Sequence, residues 1–306
     1  MTRILITGAT GFIGAHILQL AIGTQAGEIH AVSTEAKDRS TTGVRWHQAN
    51  LCSVSDAVGL IEQVRPTHVI HAAWIATPGV YLHAPENFDW LVVSLAMARA
   101  FGKNGGRRWV GLGSSAEYAP DTGLCQEEKT PLVPASIYGK CKLACCQATL
   151  AAAQEGDFSA AWGRIFLPYG PGDSTRRLIP SLMAAMKDGQ PVSTTEGKQL
   201  RDFVMSSDAA NMLFRLLWND ESGAFNIGTG VATPVRVAME SLANYFNAHD
   251  LLQFGRRPMA LDEPSYLVAD MAKTKRVLGE LKVQSLAEGL RQTVHQFLAV
   301  QNNHTE

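Results

Sequence analysis

The stretch Arg3-Ile-Leu-Ile-Thr-Gly8-Ala-Thr-Gly11-Phe-Ile-Gly14 constrains this chain more than any other. A short β-branched run breaks into a glycine turn and passes at once into a helical apolar pattern. Glycine at all three positions has a specific physical use. Gly8 lets the chain turn tightly, Gly11 lets backbone approach a pyrophosphate, and Gly14 lets the helix lie close to the strand. The helix start then offers unbonded N–H groups and the positive end of its dipole to phosphate oxygens. The rest of the first half repeats the strand-helix rhythm. Strands are predicted at Arg3–Thr7, Ile29–Ser33, Val44–Gln48, His68–Ala73, Arg108–Ser114 and Ala160–Ile165, and helices at Gly11–Ala21, Val54–Val64, Asn87–Gly102 and Tyr138–Ala153. Such alternation predicts an α/β fold with a doubly wound parallel sheet of the Rossmann type.

Beyond Pro168 the pattern changes. Pro, Gly and Arg cluster in Pro168-Tyr-Gly-Pro-Gly-Asp-Ser-Thr-Arg-Arg177, and helices at Ile179–Asp188, Ser207–Asn219 and Pro234–Phe246 are joined by short extended pieces. A terminal helix is predicted at Ser285–Gln301. Residues 1–167 are therefore expected to form the dinucleotide-binding domain, and 168–306 a smaller, mixed α/β lobe. A stretch at about 200–228 is expected to return to the first domain.

Composition excludes several classes. A net charge of −1 gives no basic surface for nucleic acid or anionic membrane. No apolar run approaches the length of a membrane span. The start, Met1-Thr-Arg-Ile-Leu-Ile-Thr-Gly8, has the pattern of neither a signal nor a transit peptide, so a cytoplasmic location is expected. Five cysteines, Cys52, Cys125, Cys141, Cys145 and Cys146, are an odd number without zinc-type spacing, and are expected to be reduced, packed thiols with no metal.

The second strand ends at Ser33-Thr34, where binders of NAD carry an acidic residue for the ribose 2′-hydroxyl. Here those positions are neutral, and Lys37 and Arg39 follow. Cations without a carboxylate suit a 2′-phosphate, which favours NADP(H). Glu35 stands near enough to keep NAD(H) as the alternative. Tyr138 and Lys142 lie one helical turn apart on one face. An ammonium near a phenol lowers the phenol's pKa toward the working pH, which suits it to move the proton that accompanies hydride transfer. Ser114 and Ser115 end a buried strand at the sheet edge where ligands bind in such folds, and are placed to bond the reacting oxygen.

Taken together, Gly8/Gly11/Gly14, the paired serines and Tyr138-x-x-x-Lys142 resemble the extended short-chain dehydrogenase/reductases. Arg164-Ile-Phe-Leu-Pro-Tyr-Gly-Pro-Gly172, Arg201-Asp-Phe-Val and Phe225-Asn-Ile-Gly-Thr-Gly230 resemble that family's nucleotide-sugar branch of epimerases, dehydratases and reductases. The resemblance runs from Met1 to about Gln301. It implies a bound nicotinamide cofactor, a nucleoside-diphosphate sugar as substrate, and a homodimer built by a four-helix bundle of the helices at Asn87–Gly102 and Tyr138–Ala153. It further implies that Tyr138 is the acid/base, that Lys142 lowers its pKa and binds the nicotinamide ribose, and that Ser115 orients the substrate oxygen, with Ser114 the alternative register. Thr10, Phe12, Ile13, Asn50, Leu51, Ala72 and Ala73 fall at cofactor contacts, Asn50 replacing an aspartate on the adenine side. Arg201 matches the arginine that grips the substrate diphosphate, and Arg177 is placed to assist it. His71 reads as a packed strand residue. Two departures stand out: Trp90 and Leu167 occupy positions where many members carry asparagine.

Three reactions share this pattern. A 4,6-dehydratase needs a further acid/base, for which Glu117 is the candidate, although its neighbour is Ala116. Glu117 otherwise reads as a residue bonding the substrate or its own loop. A 4-epimerase oxidises and re-reduces one carbon with retained NAD. A 4-ketoreductase needs only Ser, Tyr, Lys and exchangeable NADPH. Reduction of a nucleoside-diphosphate 4-keto-6-deoxyhexose at C4 ranks first, then epimerisation, then dehydration. A non-catalytic NAD(P)-binding regulator and a reductase of non-nucleotide carbonyls are the readings from other classes. The intact Tyr138/Lys142 pair argues against the first, and Arg201 against the second.

Overall fold

The structure is a computed structural model, and it describes residues 1–35, 43–260 and 263–302. At its centre is a seven-stranded sheet formed by β1 (Arg3–Thr7), β2 (Glu28–Ser33), β3 (Val44–Gln48), β4 (His68–His71), β5 (Arg108–Ser114), β6 (Ser159–Ile165) and β7 (Gly223–Ile227). Their spatial order is β3-β2-β1-β4-β5-β6-β7, and every neighbouring pair is parallel. The order reverses between β1 and β4, which leaves a crevice beyond their C-terminal ends, where ligands bind in folds of this kind.

Helices cover both faces. On one side α1 (Phe12–Gly23) packs against α6 (Ser206–Leu216), and on the other stand α2 (Val54–Val64), α3 (Glu86–Lys103) and α4 (Ile137–Glu155). The two faces have separate apolar cores. Ile4, Ile6, Ile17, Ile70 and Val110 serve the first, whereas Leu5, Ile61, Val69, Phe101 and Trp109 serve the second. Successive residues of a strand thus alternate between cores, as the period of two requires. The inner strands β1 and β5 are buried on both faces and read as nearly continuous apolar runs, whereas the edge strand β3 is only partly buried.

The smaller lobe is built on α5 (Leu178–Lys187), α7 (Val235–Phe246) and α9 (Leu286–Asn302), whereas α8 (Ala272–Leu278) packs back on β7 and α6 of the large lobe. Its core gathers Met183, Met186, Phe203, Met239, Leu242 and Leu290. The chain crosses between lobes in both directions. β7 completes the large sheet from the second half, while Leu124–Cys125 from the first half pairs with Tyr266–Ala269 in a four-stranded sheet of the small lobe. No helix among the described residues is long and apolar enough to cross a membrane. Four of the free cysteines are buried and Cys52 is exposed, and no metal-holding cluster of His, Cys, Asp or Glu occurs among the described residues.

Candidate active site

The crevice opens into a cavity of about 960 Å³ lined by both lobes. Its floor is the turn between β1 and α1. Gly8 has φ of +63°, and a Cβ there would stand 2.7 Å from the backbone of Ala72 and Ala73 at the end of β4. A Cβ on Gly14 would collide with the carbonyl of Gly8. Gly11 begins α1 with no side-chain cap, so the first-turn N–H groups are not taken by one. Thr10, Phe12, Ile13, Ala72 and Ala73 also line the cavity. Thr7 and His71, the last residues of β1 and β4, hydrogen-bond at 2.8 Å, and His71 bonds Ser94 of α3 at 2.8 Å. Burial pushes His71 down to about 3, so it is a neutral link between elements. A dinucleotide fits this floor: backbone approaches where any side chain would intrude, and an uncapped helix start faces the same space. Gly14→Ala is expected to cost about 1–3 kcal/mol through overpacking against a rigid carbonyl and to weaken dinucleotide binding. A variant with unchanged melting temperature and unchanged affinity by calorimetry would contradict this.

Other expected cofactor positions lie outside the cavity wall. Ser33 and Thr34 end β2, and the Ser33 hydroxyl accepts the Glu35 N–H at 3.2 Å. The Asn50 side chain accepts the Cys52 N–H at 3.1 Å, and Leu51 is buried in the core beneath α2. Lys37 and Arg39 lie outside the described residues.

Above the floor, α4 delivers Tyr138 and Lys142. Ser136 caps the helix by accepting the Gly139 N–H at 3.0 Å. A side chain at Gly139 would collide with the Ala116 carbonyl, so the glycine lets the helix start close to the end of β5. Leu112 and Ser114, two apart on β5, both face the cavity. The Leu112 carbonyl accepts the Lys142 ammonium at 2.7 Å, and the Ser114 hydroxyl acts on the Tyr138 phenol by favouring its ionised form. Both serines line the cavity, and of the two it is Ser114, the alternative register, that acts on the phenol. Strand alternation decides this: Ser115 already belongs to the 3₁₀ turn that follows.

The phenol differs from expectation as well. Burial drives Tyr138 above its ordinary value, Tyr81 adds to that, and the bond from Ser114 only partly opposes it. Lys142 is turned toward Leu112 and lies 5.9 Å from the Tyr138 ring centroid. Its own pKa falls to about 8 through burial. In the free protein the phenol is therefore held protonated.

Glu117, expected to bond the substrate or its own loop, bonds the loop at the Ser114 N–H. Glu117 is fully buried, off the cavity wall, and its carboxylate is filled by the chain itself. It accepts from Arg164 Nε at 2.8 Å, Trp162 Nε1 at 2.9 Å and the Ser114 N–H at 2.9 Å. Burial opposes the charge on Arg164, but Glu117 and then Tyr118 outweigh it and hold the guanidinium above its ordinary value. Trp162 and Arg164 point the same way from β6 because they are two apart. Gly111 and Gly113 on β5 make the space, since a Cβ at either would collide with Trp162.

Two arginines also line the cavity. Arg201 donates to Glu263 at 3.1 Å, and Arg177 lies 3.5 Å from Asp173 and over the Tyr81 ring at 5.5 Å. All five of these residues line the cavity. Burial pushes Asp173 up to about 6 against the pull of Arg177. Asp202, beside Arg201, is a loop organiser: its carboxylate accepts N–H groups of Thr229, Gly230 and Ala269. Sequence reasoning assigned no role to Tyr81, Asp173 or Glu263. The signal open to it was Asp173 four before Arg177, and a Pro/Gly-rich loop after β4 at the sheet edge.

A family model described as the NAD dependent epimerase/dehydratase family matches residues 4–228. The chain belongs to the NAD-dependent epimerase/dehydratase family. It is 26% identical to a dTDP-glucose 4,6-dehydratase of Neisseria meningitidis, over 97% of this chain and 94% of that one. It is also 26% identical to UDP-glucuronic acid decarboxylase 1 of Arabidopsis thaliana, over 96% and 69% respectively. The solved structure of MoeE5 in complex with UDP-glucose and NAD matches with a TM-score of 0.85 and 28% identity, over 98% of this chain and 99% of that one. The UDP-glucose 4-epimerase of Thermotoga maritima shares the fold, with a TM-score of 0.87 and 21% identity over 98% and 100%. This member of the epimerase/dehydratase family is thus an enzyme of the extended short-chain dehydrogenase/reductase type.

Proposed function

We propose that this enzyme reduces the C4 ketone of a nucleoside-diphosphate 4-keto-6-deoxyhexose, with NADPH the preferred cofactor. The observation that carries the reading is that Ser114, Tyr138 and Lys142 line the same cavity as Arg177 and Arg201. The turn at Gly8, Gly11 and Gly14 would hold the dinucleotide, whose chemistry would be to supply a hydride. Ser114 bonds the carbonyl oxygen, and Tyr138 gives that oxygen its proton, so the ketone becomes a carbinol. A phenol held protonated by burial suits this direction, since the acid must arrive with its proton. Lys142 holds the ribose side of the cofactor and compensates the phenolate left behind. Arg201 and Arg177 bind the diphosphate with their guanidinium forks. NADPH is favoured because Ser33 and Thr34 offer no carboxylate at the end of β2.

Glu117 weighs against dehydration. A second acid/base must reach the sugar, and this carboxylate is committed to Arg164 beneath the site. Epimerisation at C4 is the second reading, favoured by the NAD in the MoeE5 complex. Purified enzyme given a panel of nucleoside-diphosphate 4-keto-6-deoxyhexoses should consume NADPH stoichiometrically. Interconversion of 4-epimers with no net cofactor consumption would instead establish the second reading.

The reading includes a homodimer through α3 and α4. Phe88 and Val92, 55% and 57% exposed, stand one turn apart on α3 and would be covered by the partner's helices. Light scattering should return twice the chain mass of 33.1 kDa. A mass of one chain at working concentrations would overturn the dimer.

A further inference from the structure

The Lys142 ammonium has a closer neighbour than the phenol. It lies over the Trp74 ring at 3.8 Å from the centroid, against 5.9 Å for Tyr138 and 5.8 Å for Trp162. Trp74 is itself held firmly. Its Nε1 donates to Asn87 Oδ1 at 2.8 Å, and the Asn87 amide donates to the carbonyls of Tyr81 at 2.7 Å and Ala84 at 2.8 Å. Asn87 is fully buried, and the Trp74 ring also stacks on Trp90 at 6.3 Å with an interplanar angle of 28°. An indole locked by a hydrogen bond and a stacking partner thus caps one side of a buried cation. The negative face of an aromatic ring stabilises a cation, and does so most strongly where water is excluded.

We propose that Trp74 is a positioning residue for Lys142, its ring face keeping the ammonium in place and charged beside the Leu112 carbonyl. The proposal rests on the reading of Lys142 as part of the reacting group. The other groups around the ammonium cannot substitute for the ring. Glu117, below it, is committed to Arg164; Cys145, on the same helix, is a thiol that burial pushes up; His71, from β4, is neutral; and Tyr138 is protonated. Burial meanwhile works against the charge on Lys142. Trp74 lines the cavity, so it also sets which side of the ammonium faces a ligand.

The test reads the ammonium directly, in the full-length protein without cofactor. Lysines carry a ¹³C label at Cε, and the Lys142 resonance is identified by its loss in Lys142→Arg. Trp74→Phe keeps a ring face and should leave the titration near its wild-type position. Trp74→Met covers the same side without a ring and should lower it by about one pH unit, from the size of a desolvated cation–π contact. The alkaline limb of the kcat/KM profile should fall by the same amount. Replacing tryptophan with a fluorinated analogue weakens the ring's negative face at nearly constant shape. It should move the titration the same way, and it needs no variant to fold. A Lys142 that titrates at the wild-type pH or higher in both the Met variant and the fluorinated protein overturns the role given to Trp74. Absence of turnover by wild-type enzyme, with the titration shifted as expected, sinks the proposed reaction and leaves Trp74's role standing.

Discussion

Tyr138→Phe is expected to lose about 10²–10⁴-fold in kcat, the range by which a positioned general acid accelerates a proton transfer. Little else should change. The ring would keep its edge-on contact with Tyr81, whose centroid lies 4.8 Å away, and the helix cap at Ser136 is untouched. Only the hydroxyl on which Ser114 acts disappears. Single-turnover measurement with saturating cofactor separates the chemical step from binding. The expected outcome is a slow chemical step with cofactor affinity within a few-fold of wild type. Turnover within tenfold of wild type would show that another group protonates the sugar oxygen.

Glu117→Gln should act on stability, with an expected loss of about 3–5 kcal/mol, because removing one partner of a buried ion pair leaves the other uncompensated. Arg164 is only 3% exposed on its side chain, and water cannot replace the lost carboxylate. The amide is nearly isosteric, so the damage comes from charge rather than volume. A fall in melting temperature on the order of 10 °C is expected for a loss of this size. A variant with unchanged melting temperature that has lost all formation of a 4-keto product would return Glu117 to a catalytic role and revive the dehydratase reading.

How much of this was legible in the sequence depended on whether cause and effect were local. β1 and β5 begin and end where the apolar runs place them, because burial on both faces leaves an unbroken signal, and α2 does so because its apolar residues recur at helical spacing between a serine cap and a turn. The glycine turn was equally readable: its requirement is steric, and glycine alone meets it. Pairings across the fold left no such mark. Glu117 meets Arg164 across 47 residues, and only the glycines at 111 and 113 hinted that something large approached β5. Trp74 meets Lys142 through tertiary packing, so no spacing rule connects them. The register of the serines turned on one residue at a strand end, where the period of two gives way to a turn. The state of Tyr138 turned on burial, while the lysine one turn along the helix is directed to the Leu112 carbonyl.

The most direct measurement of the central claim is isotope transfer. Enzyme incubated with a nucleoside-diphosphate 4-keto-6-deoxyhexose and NADPH carrying deuterium at both hydrogens of the nicotinamide C4 should yield a 6-deoxyhexose product with one deuterium on sugar C4. Mass spectrometry and proton NMR would locate it. The account predicts a single stereoisomer, one deuterium per NADPH consumed, and no transfer by Tyr138→Phe at matched times. A product without deuterium, or conversion of an unreduced sugar with the cofactor returned unchanged, would contradict it.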